Sequence, residues 1–415
     1  MFLVIYRFLI NLVFILSPLI IIFRIFKKKE SISRFKEKFC FFSKKKIKKK
    51  LIWFHGASVG ELLSIIPVIE KFEKDNKIDQ ILVTTSTLSS AKVFEKFKFK
   101  KTIHQFFPID TNFISNKFLN YWKPSLAAFV DSEIWPNMML NLKKKSIPTI
   151  LLNARITNKS FQRWKIFKNF SNEIFQCFTK ALPCNKETLK YLKHFRIKNT
   201  KFIGNLKFSQ KQNQKILIPK KLKNFLSKKI YWCASSTHKG EEIIFLRAHL
   251  ELKKKFKNLV TIIIPRHINR KTELLEIFKS QNLNVHCHSW KKNIPSETDI
   301  YFVDTYGETS LFFKLCQIVF IGGSIIKHGG QNPLEAIRFG CKIIHGPYTE
   351  NFKDIYKLLK KMGAAKQAST SAKIIKNIES NLKKNQNSKG SIKKIEMMGI
   401  KILNLTLKEL NQTLS

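Results

Sequence analysis

The chain has 415 residues, which at roughly 100–200 residues per domain points to two domains or three rather than one small core. Hydrophobic residues make up 44%, enough to bury sizeable cores, so wholesale disorder is excluded. Lys+Arg 77 against Asp+Glu 28 leaves a net charge of +49, an excess that attracts something anionic: nucleic acid, membrane headgroups or a phosphorylated substrate.

Residues 2–26 are almost wholly apolar, interrupted by Arg7 and Arg24. The uncharged run 8–23 is about 24 Å long as a helix. A hydrocarbon core is about 30 Å thick, so the run spans only if both arginines snorkel to the interfaces. No small-x-small cleavage site follows; Lys27, Lys28 and Lys29 do, which indicates an uncleaved anchor rather than a signal peptide. With Arg34, Lys36 and Lys38 these lysines predict that the bulk of the chain lies on the cytoplasmic side of a membrane. Pro18 is a candidate kink. Two alternatives stay open: a helix lying flat in the interface, or a buried soluble helix.

Beyond the lysine run 44–50, strand-like apolar runs alternate with helix-period segments. Strands are predicted at 51–55, 81–85, 102–107, 126–130, 149–152 and 201–203, with helices at 61–72 and 89–97 among those between. A polar, lysine-rich stretch around 210–223 interrupts the pattern. It restarts with strands at 230–234, 260–264, 300–303 and 318–321 and helices at 240–256, 271–280 and from 332. Such alternation predicts an α/β fold: two doubly wound, Rossmann-like domains facing a cleft, with ligands at the carboxyl ends of the strands. The predicted division is an anchor at 1–28, a first domain at 33–212, a second at 222–400 and a C-terminal helix and tail at 401–415, after a low-complexity Lys/Asn/Ser segment.

Most of the lysine excess is spread evenly and accompanies heavy use of Ile, Phe and Asn, the pattern of compositional drift, so only local clusters need explaining. Seven cysteines lack C-x-x-C spacing, which excludes a zinc ribbon and a disulfide scaffold and fits a reducing compartment. Glycine is more informative. A chain with only 14 glycines keeps them where nothing else fits, and six of the 14 fall in the segment IGGSIIKHGGQNPLEAIRFGCKIIHGP. Gly322 and Gly323 follow a predicted strand; Gly329 and Gly330 precede Asn332-Pro333, a cap followed by a proline at the helix start. A glycine-rich loop feeding a helix N-terminus is an anion site, and Glu335 in the first turn can accept hydrogen bonds from ribose hydroxyls. The plainer alternative is a tight turn with Glu335 complementing the helix dipole.

A second cluster, His55-Gly56-Ala57-Ser58-Val59-Gly60-Glu61, joins the first strand to the first helix. Gly56 and Gly60 permit close backbone approach, Ser58 is polar, and Glu61 at a helix start is a general-base candidate; serving only the helix dipole is its equal alternative. Other polar residues end strands on the same rim: Asp131-Ser132-Glu133, Asn153-Ala154-Arg155, Gly204-Asn205-Leu206-Lys207, Ser235-Ser236-Thr237-His238, Pro265-Arg266-His267 and Asp304-Thr305-Tyr306-Gly307-Glu308. Lys207 and Arg266 are candidates for phosphate contacts. His286-Cys287-His288 is poor chelating geometry, and no metal site is expected.

Taken in order, HGASVGE, SEIWPN, NARIT, GNLKF, STHKGEE, IIPRH, DTYGE and GGSIIKHGGQNPLEAIRFG resemble the Kdo transferases of lipopolysaccharide assembly (Kdo is 3-deoxy-D-manno-octulosonic acid), from the anchor to about residue 365. The resemblance implies a two-domain GT-B glycosyltransferase with CMP-Kdo as donor and the tetra-acylated lipid A precursor, lipid IVA, as acceptor, and it makes the membrane the inner membrane. It puts the catalytic base on Glu61 and transition-state stabilisation on Asp131 and Lys207. It puts CMP contacts on Pro265, Arg266, Tyr306, Gly307, Glu308, Asn332, Pro333, Leu334 and Glu335. Ser58, Gly60, Ser236, Thr237, Gly322, Gly323, Gly329 and Gly330 are further candidates from the loops. Position 131 is Asp where the family commonly has Glu, so Glu133 is a candidate to share its role; Tyr306 stands where a smaller or apolar residue is usual.

The implied reaction is inverting transfer, with Glu61 removing the acceptor hydroxyl proton and CMP leaving from the opposite face. The leaving group is good, so no metal or other cofactor is expected. The main alternative is another membrane-surface GT-B transferase using a different nucleotide sugar. A nucleic-acid binder would concentrate charge among interleaved aromatics; the glycine and carboxylate rim dominates here, so nucleic acid is not an expected partner.

Overall fold

The computed structural model describes residues 2–47, 50–211, 216–290, 292–383 and 389–414. Part of the low-complexity segment, 384–388, lies outside the described residues. The chain forms two compact units: Met1–Gln210 with Met398–Ser415, and Lys211–Met397.

In the first unit, β1 (Leu51–His55), β2 (Gln80–Thr85), β3 (Thr102–Phe106), β4 (Leu126–Val130), β5 (Thr149–Ala154) and β6 (Lys180–Pro183) make one sheet of order 3-2-1-4-5-6. Every pairing is parallel. Strands sandwiched between helices are apolar throughout, and Leu51, Ile52, Trp53 and Phe54 of β1 are fully buried. Helices start where a Ser, Thr or Asn side chain accepts from the amide three residues on: Ser58, Thr87, Thr111, Thr157 and Asn185. One core face is aromatic, with Trp53 packed on Phe118 and Phe129, and Phe175 stacked on Phe195.

The second unit contains β7 (Ile230–Thr237), β8 (Leu259–Pro265), β9 (Val285–Cys287), β10 (Ile300–Phe302), β11 (Ile318–Ile321), β12 (Lys342–His345) and β13 (Ala365–Gln367). They form a second parallel sheet of order 13-12-11-7-8-10-9. Its core lies in separate clusters, one around Trp232, Phe245 and Phe320, the other around Ile263, Leu274 and Phe278.

Several expectations are corrected. The strand expected at 201–203 does not form; Thr200 makes one isolated bridge to Ala181, and the edge strand is instead Lys180–Pro183. Strands β9, β12 and β13 were not predicted: at three or four residues they carry too little periodicity to register. The C-terminal tail is not a separate element. The helix Lys389–Leu414 begins in the second unit and ends in the first, where Glu409 pairs with Lys180 (2.8 Å) and Lys201 (2.6 Å) and Gly399 lies against the Phe208 carbonyl. The anchor segment is one helix, α1 (Phe2–Phe26), continuous through Pro18, and it belongs to the first unit. Its outward residues are exposed, so it is not a buried core helix.

Candidate active site

In a doubly wound sheet the strand order reverses at one point, and the loops there diverge to leave a crevice at the carboxyl ends. In the first sheet this point lies between β1 and β4, whose loops carry His55–Glu61 and Asp131–Glu133. In the second it lies between β7 and β11, whose loops carry Ser236–His238 and Gly322–Ser324. Four of the motifs picked out by sequence therefore fall at the two switch points, and the others follow neighbouring elements.

On the first rim, Ser58 caps the helix Val59–Phe72 and Glu61 completes a capping box. The Glu61 carboxylate accepts from the Ala57 amide (2.7 Å) and the Ser58 hydroxyl (2.8 Å), while the Glu61 amide donates to Ser58 Oγ (3.3 Å). The turn is tight: a Cβ on Gly56 would lie 3.1 Å from Glu61 Cβ, whereas one on Gly60 would meet nothing nearer than 4.0 Å. Asp131 adopts a left-handed backbone (φ 64°) and is almost fully buried. Burial pushes its carboxyl up to about 6; Lys207 and Arg155 pull it down, while Glu61 and Glu133 add repulsion. Lys207 Nζ lies 3.8 Å from Asp131 Oδ2. Glu61, Glu133, Lys207 and Arg155 thus all act on the charge of Asp131.

Glu133, besides acting on the charge of Asp131, makes contacts of its own. Its Oε2 lies 3.1 Å from His55 Nε2 and accepts from the Trp135 indole at 2.9 Å. Burial favours its neutral form, but the His55 and Trp135 contacts outweigh that and hold the carboxyl below its ordinary range. Sequence reasoning overlooked two positioning residues. Asn153, also left-handed (φ 52°), accepts the Leu206 amide (2.9 Å), and Asn205 accepts the Lys207 amide (2.9 Å), which fixes the short turn that carries Lys207. Both lie in flagged strand-end motifs, but only the contacts reveal what they hold.

On the second rim the glycine-rich loop departs from expectation. The amides of Gly323 (2.7 Å), Ser324 (3.0 Å) and Ile325 (2.9 Å) all donate to the carboxylate of Glu241, as does the His238 amide (3.0 Å). The Gly322 amide donates to the Ser235 carbonyl and the Gly330 amide to the Gly323 carbonyl. The amides of residues 322–325 and of Gly330 are satisfied internally, so this stretch of the loop does not offer the open backbone donors its composition suggests. Glycine is required for close packing instead: a Cβ on Gly322 would lie 2.4 Å from the Ser236 carbonyl oxygen, and one on Gly329 (φ 89°) 2.6 Å from the Asn351 side chain. The helix expected from 332 is also short, Leu334–Arg338, and Pro333 is its cap residue; Asn332 accepts from the Leu334 amide (3.1 Å). Glu335 accepts from the Ser310 hydroxyl.

What the second rim does assemble is a group of basic side chains. His238 lies 4.3 Å from His328 and 5.9 Å from His267, ring centre to centre, with Arg266 exposed beside His267. Burial lowers the His238 pKa, and its basic neighbours lower it further, while its contact with the Ser236 carbonyl opposes them. Thr237 donates to the buried Glu242 (2.8 Å), and the Arg266 amide donates to the Thr237 carbonyl (2.9 Å), so Pro265-Arg266 and Ser236-Thr237 are joined. Asp304 is bound by Lys271 (2.6 Å) and the Ser289 amide (2.9 Å) and so fixes the start of the Tyr306-Gly307-Glu308 loop, with Tyr306 68% exposed. His286 and His288 both pack against Tyr301, and among the described residues no set of three His, Cys, Asp or Glu is arranged to hold a metal. A depression lined by Lys143, Pro148, Gln176 and Lys198 lies beside the amino ends of β5 and β6, away from the rim chemistry.

A family model described as 3-deoxy-D-manno-octulosonic-acid transferase (kdotransferase) matches residues 33–210. A 3-deoxy-D-manno-octulosonic acid transferase of Rickettsia bellii is 36% identical over 88% of this chain and 88% of its own length. One from Haemophilus influenzae is 29% identical over 85% of this chain and 83% of its own. Among solved structures, a UDP-GlcNAc 2-epimerase from Neisseria meningitidis aligns over 88% of this chain and 99% of its own at a TM-score of 0.59; at 15% identity that likeness speaks to the two-domain GT-B fold alone. With the doubly wound sheets and the ordered motifs, these relatives show that the chain belongs to the 3-deoxy-D-manno-octulosonic acid transferase family.

Proposed function

We propose that the protein transfers Kdo from CMP-Kdo to the tetra-acylated lipid A precursor at the cytoplasmic face of the inner membrane, releasing CMP. Family membership makes it a glycosyltransferase that moves Kdo in lipopolysaccharide biosynthesis; the donor, the acceptor and the residue roles are our reading. The observation that carries it is the grouping of Glu61 and Lys207 about Asp131 on the first rim.

In this reading Glu61 takes the proton from an acceptor hydroxyl. The freed oxygen attacks the anomeric carbon of Kdo, the bond from that carbon to the CMP phosphate oxygen breaks, and CMP departs from the opposite face with both bonding electrons. The capping box holds the Glu61 carboxylate in one orientation, which favours a positioned base. Lys207 and Asp131 act on the charge that develops as the oxocarbenium-like centre forms. Arg266 and the histidine group in the loops after β7, β8 and β11 suit a donor carrying both a phosphate and a carboxylate. That assignment moves anion binding from backbone amides to side chains. No metal is needed in this scheme, because CMP is a good leaving group. The helix α1 is the only one among the described residues long and apolar enough to cross a membrane, and we take it as the membrane attachment.

The test is transfer from freshly generated CMP-Kdo to lipid A precursor, wild type beside Glu61→Gln, with products read by mass. Kdo adducts that vanish in the variant support the reaction and the base. A folded wild-type protein that makes none, yet turns over a UDP-sugar, overturns the donor assignment.

A further inference from the structure

We infer that α1 lies flat on the membrane, held along its length against the first unit, and that its outward face, together with the elbow at Ile166–Phe167, forms one surface inserted into a bilayer rich in anionic lipid. The inference rests on the membrane attachment proposed above and replaces a spanning helix with an in-plane one.

The contacts of α1 run from end to end. Phe2 packs on Phe167 (ring centres 4.4 Å apart), the Tyr6 hydroxyl donates to Asp110 (2.7 Å) and Arg7 Nε donates to Asn137 Oδ1 (3.0 Å). Phe14 meets Phe39 edge-on, Ser17 and Ile21 are buried, and Arg24 pairs with Glu30 (3.0 Å). Positions 2, 6, 7, 14, 17, 21 and 24 form one stripe at helical spacing, so a single face meets the protein. Tyr6 and Arg24 are about 27 Å apart along the axis, nearly the depth of a hydrocarbon core. If α1 crossed the bilayer, the buried polar groups it binds, Asp110 and Asn137, would be carried through the membrane with it. An unsatisfied polar group in hydrocarbon costs several kcal/mol, and the ion pair of Arg24 with Glu30 ties the other end to the same body.

The opposite face is apolar and turned to solvent: Val4, Phe8, Ile15, Leu19, Phe23 and Phe26 are all exposed, Ile15 by 71% and Phe26 by 81%. Beyond the Phe2 end the surface continues through Ile166, 72% exposed, across a depression lined by Leu3, Phe167 and Phe170. Cations flank this surface at both ends, Lys27, Lys28 and Lys29 after α1 and Arg163, Lys165 and Lys168 around the elbow. An apolar strip bounded by cations matches the boundary between acyl chains and anionic headgroups. Asp110 follows β3 and Asn137 follows β4, so α1 binds loops at the carboxyl end of the first sheet, the end that carries Glu61 and Asp131. An in-plane α1 brings the lipid surface to the catalytic end.

The experiment uses the full chain with single cysteines introduced by Ile5→Cys, Leu12→Cys, Leu19→Cys and Phe26→Cys. All four positions are exposed, seven residues apart and so on nearly one line of the helix, while the seven native cysteines are buried. Each is labelled with an environment-sensitive fluorophore, and its depth is read by nitroxide lipids in vesicles of phosphatidylethanolamine with a minority of phosphatidylglycerol. Equal, shallow depth at all four positions is the expected result, with Ile166→Asp lowering vesicle affinity several-fold. A profile deepest at positions 12 and 19, with position 5 reached only by reagent on the far side, overturns the in-plane orientation while leaving membrane attachment standing. Labels protected without lipid, by a dimer seen in sedimentation, assign the face to a second copy and overturn the inference. Failure to float with vesicles at all overturns the attachment itself, and Kdo transfer in detergent is scored separately.

Discussion

The two rims solve the same topological problem with different materials. On the first, the switch point is filled by charged side chains, and the backbone bends to present them: Asp131 and Asn153 sit in the left-handed region although neither is glycine. On the second, glycines let loops approach one another, and one buried carboxylate, Glu241, takes up four backbone amides. The carboxylates of the first rim are suited to moving protons, and the packed loops of the second to holding its basic side chains in place. That contrast agrees with assigning acceptor activation to the first unit and donor binding to the second.

The sharpest way to break this division is Glu61→Gln. Gln still completes a capping box but cannot take a proton, so the helix survives and chemistry does not. Turnover should fall by about 10²–10⁴, the usual worth of a positioned base, with little change in thermal midpoint. A large drop in the midpoint would instead make Glu61 a purely structural cap.

Next come the packing variants on the second rim. Glu241→Ala leaves buried amides without an acceptor, at about 1–3 kcal/mol each. Gly322→Ala forces a Cβ against the Ser236 carbonyl, typically about 1–3 kcal/mol of strain. Both should lower the thermal midpoint and raise KM for the donor far more than KM for the acceptor. Equal effects on both substrates would erase the distinction between the rims.

Asp131 gives a pH test. Its carboxyl titrates near 6 in the folded protein against 3.8 for the ordinary group. Between those values the native state holds a proton that the unfolded chain has lost, so stability falls as pH rises through the window. Asp131→Asn should flatten that slope. If the ionised form supports the transition state, kcat/KM rises through about pH 6 in the wild type, and that limb should vanish in the variant. The smallest effect is expected from Glu133→Gln, which keeps an oxygen for the Trp135 indole and weakens only the pairing with His55: about 1 kcal/mol or less in unfolding free energy.

Sequence by itself determined the α/β class, the long strands and the motifs that cluster at the switch points. Long buried strands such as Leu126–Val130 announce themselves because both faces are apolar, and glycines stand out in a chain that has so few. It also located Glu61, at the end of a glycine-flanked cluster joining the first strand to the first helix, whereas the capping box that Glu61 makes with Ser58 emerged only from the structure. Three- and four-residue strands such as Ala365–Gln367 escaped it, because their pairing is set by neighbours distant in the chain. The fate of the first part of the glycine-rich loop was decided only by tertiary structure: the amides of Gly323, Ser324 and Ile325 looked available until Glu241, more than eighty positions away in the chain, was placed beneath them. The bearing of α1 is the same kind of fact. Composition gives an apolar helix, but which face it turns to the protein depends on Asp110 and Asn137, which local sequence cannot bring to Tyr6 and Arg7 and the folded sheet does.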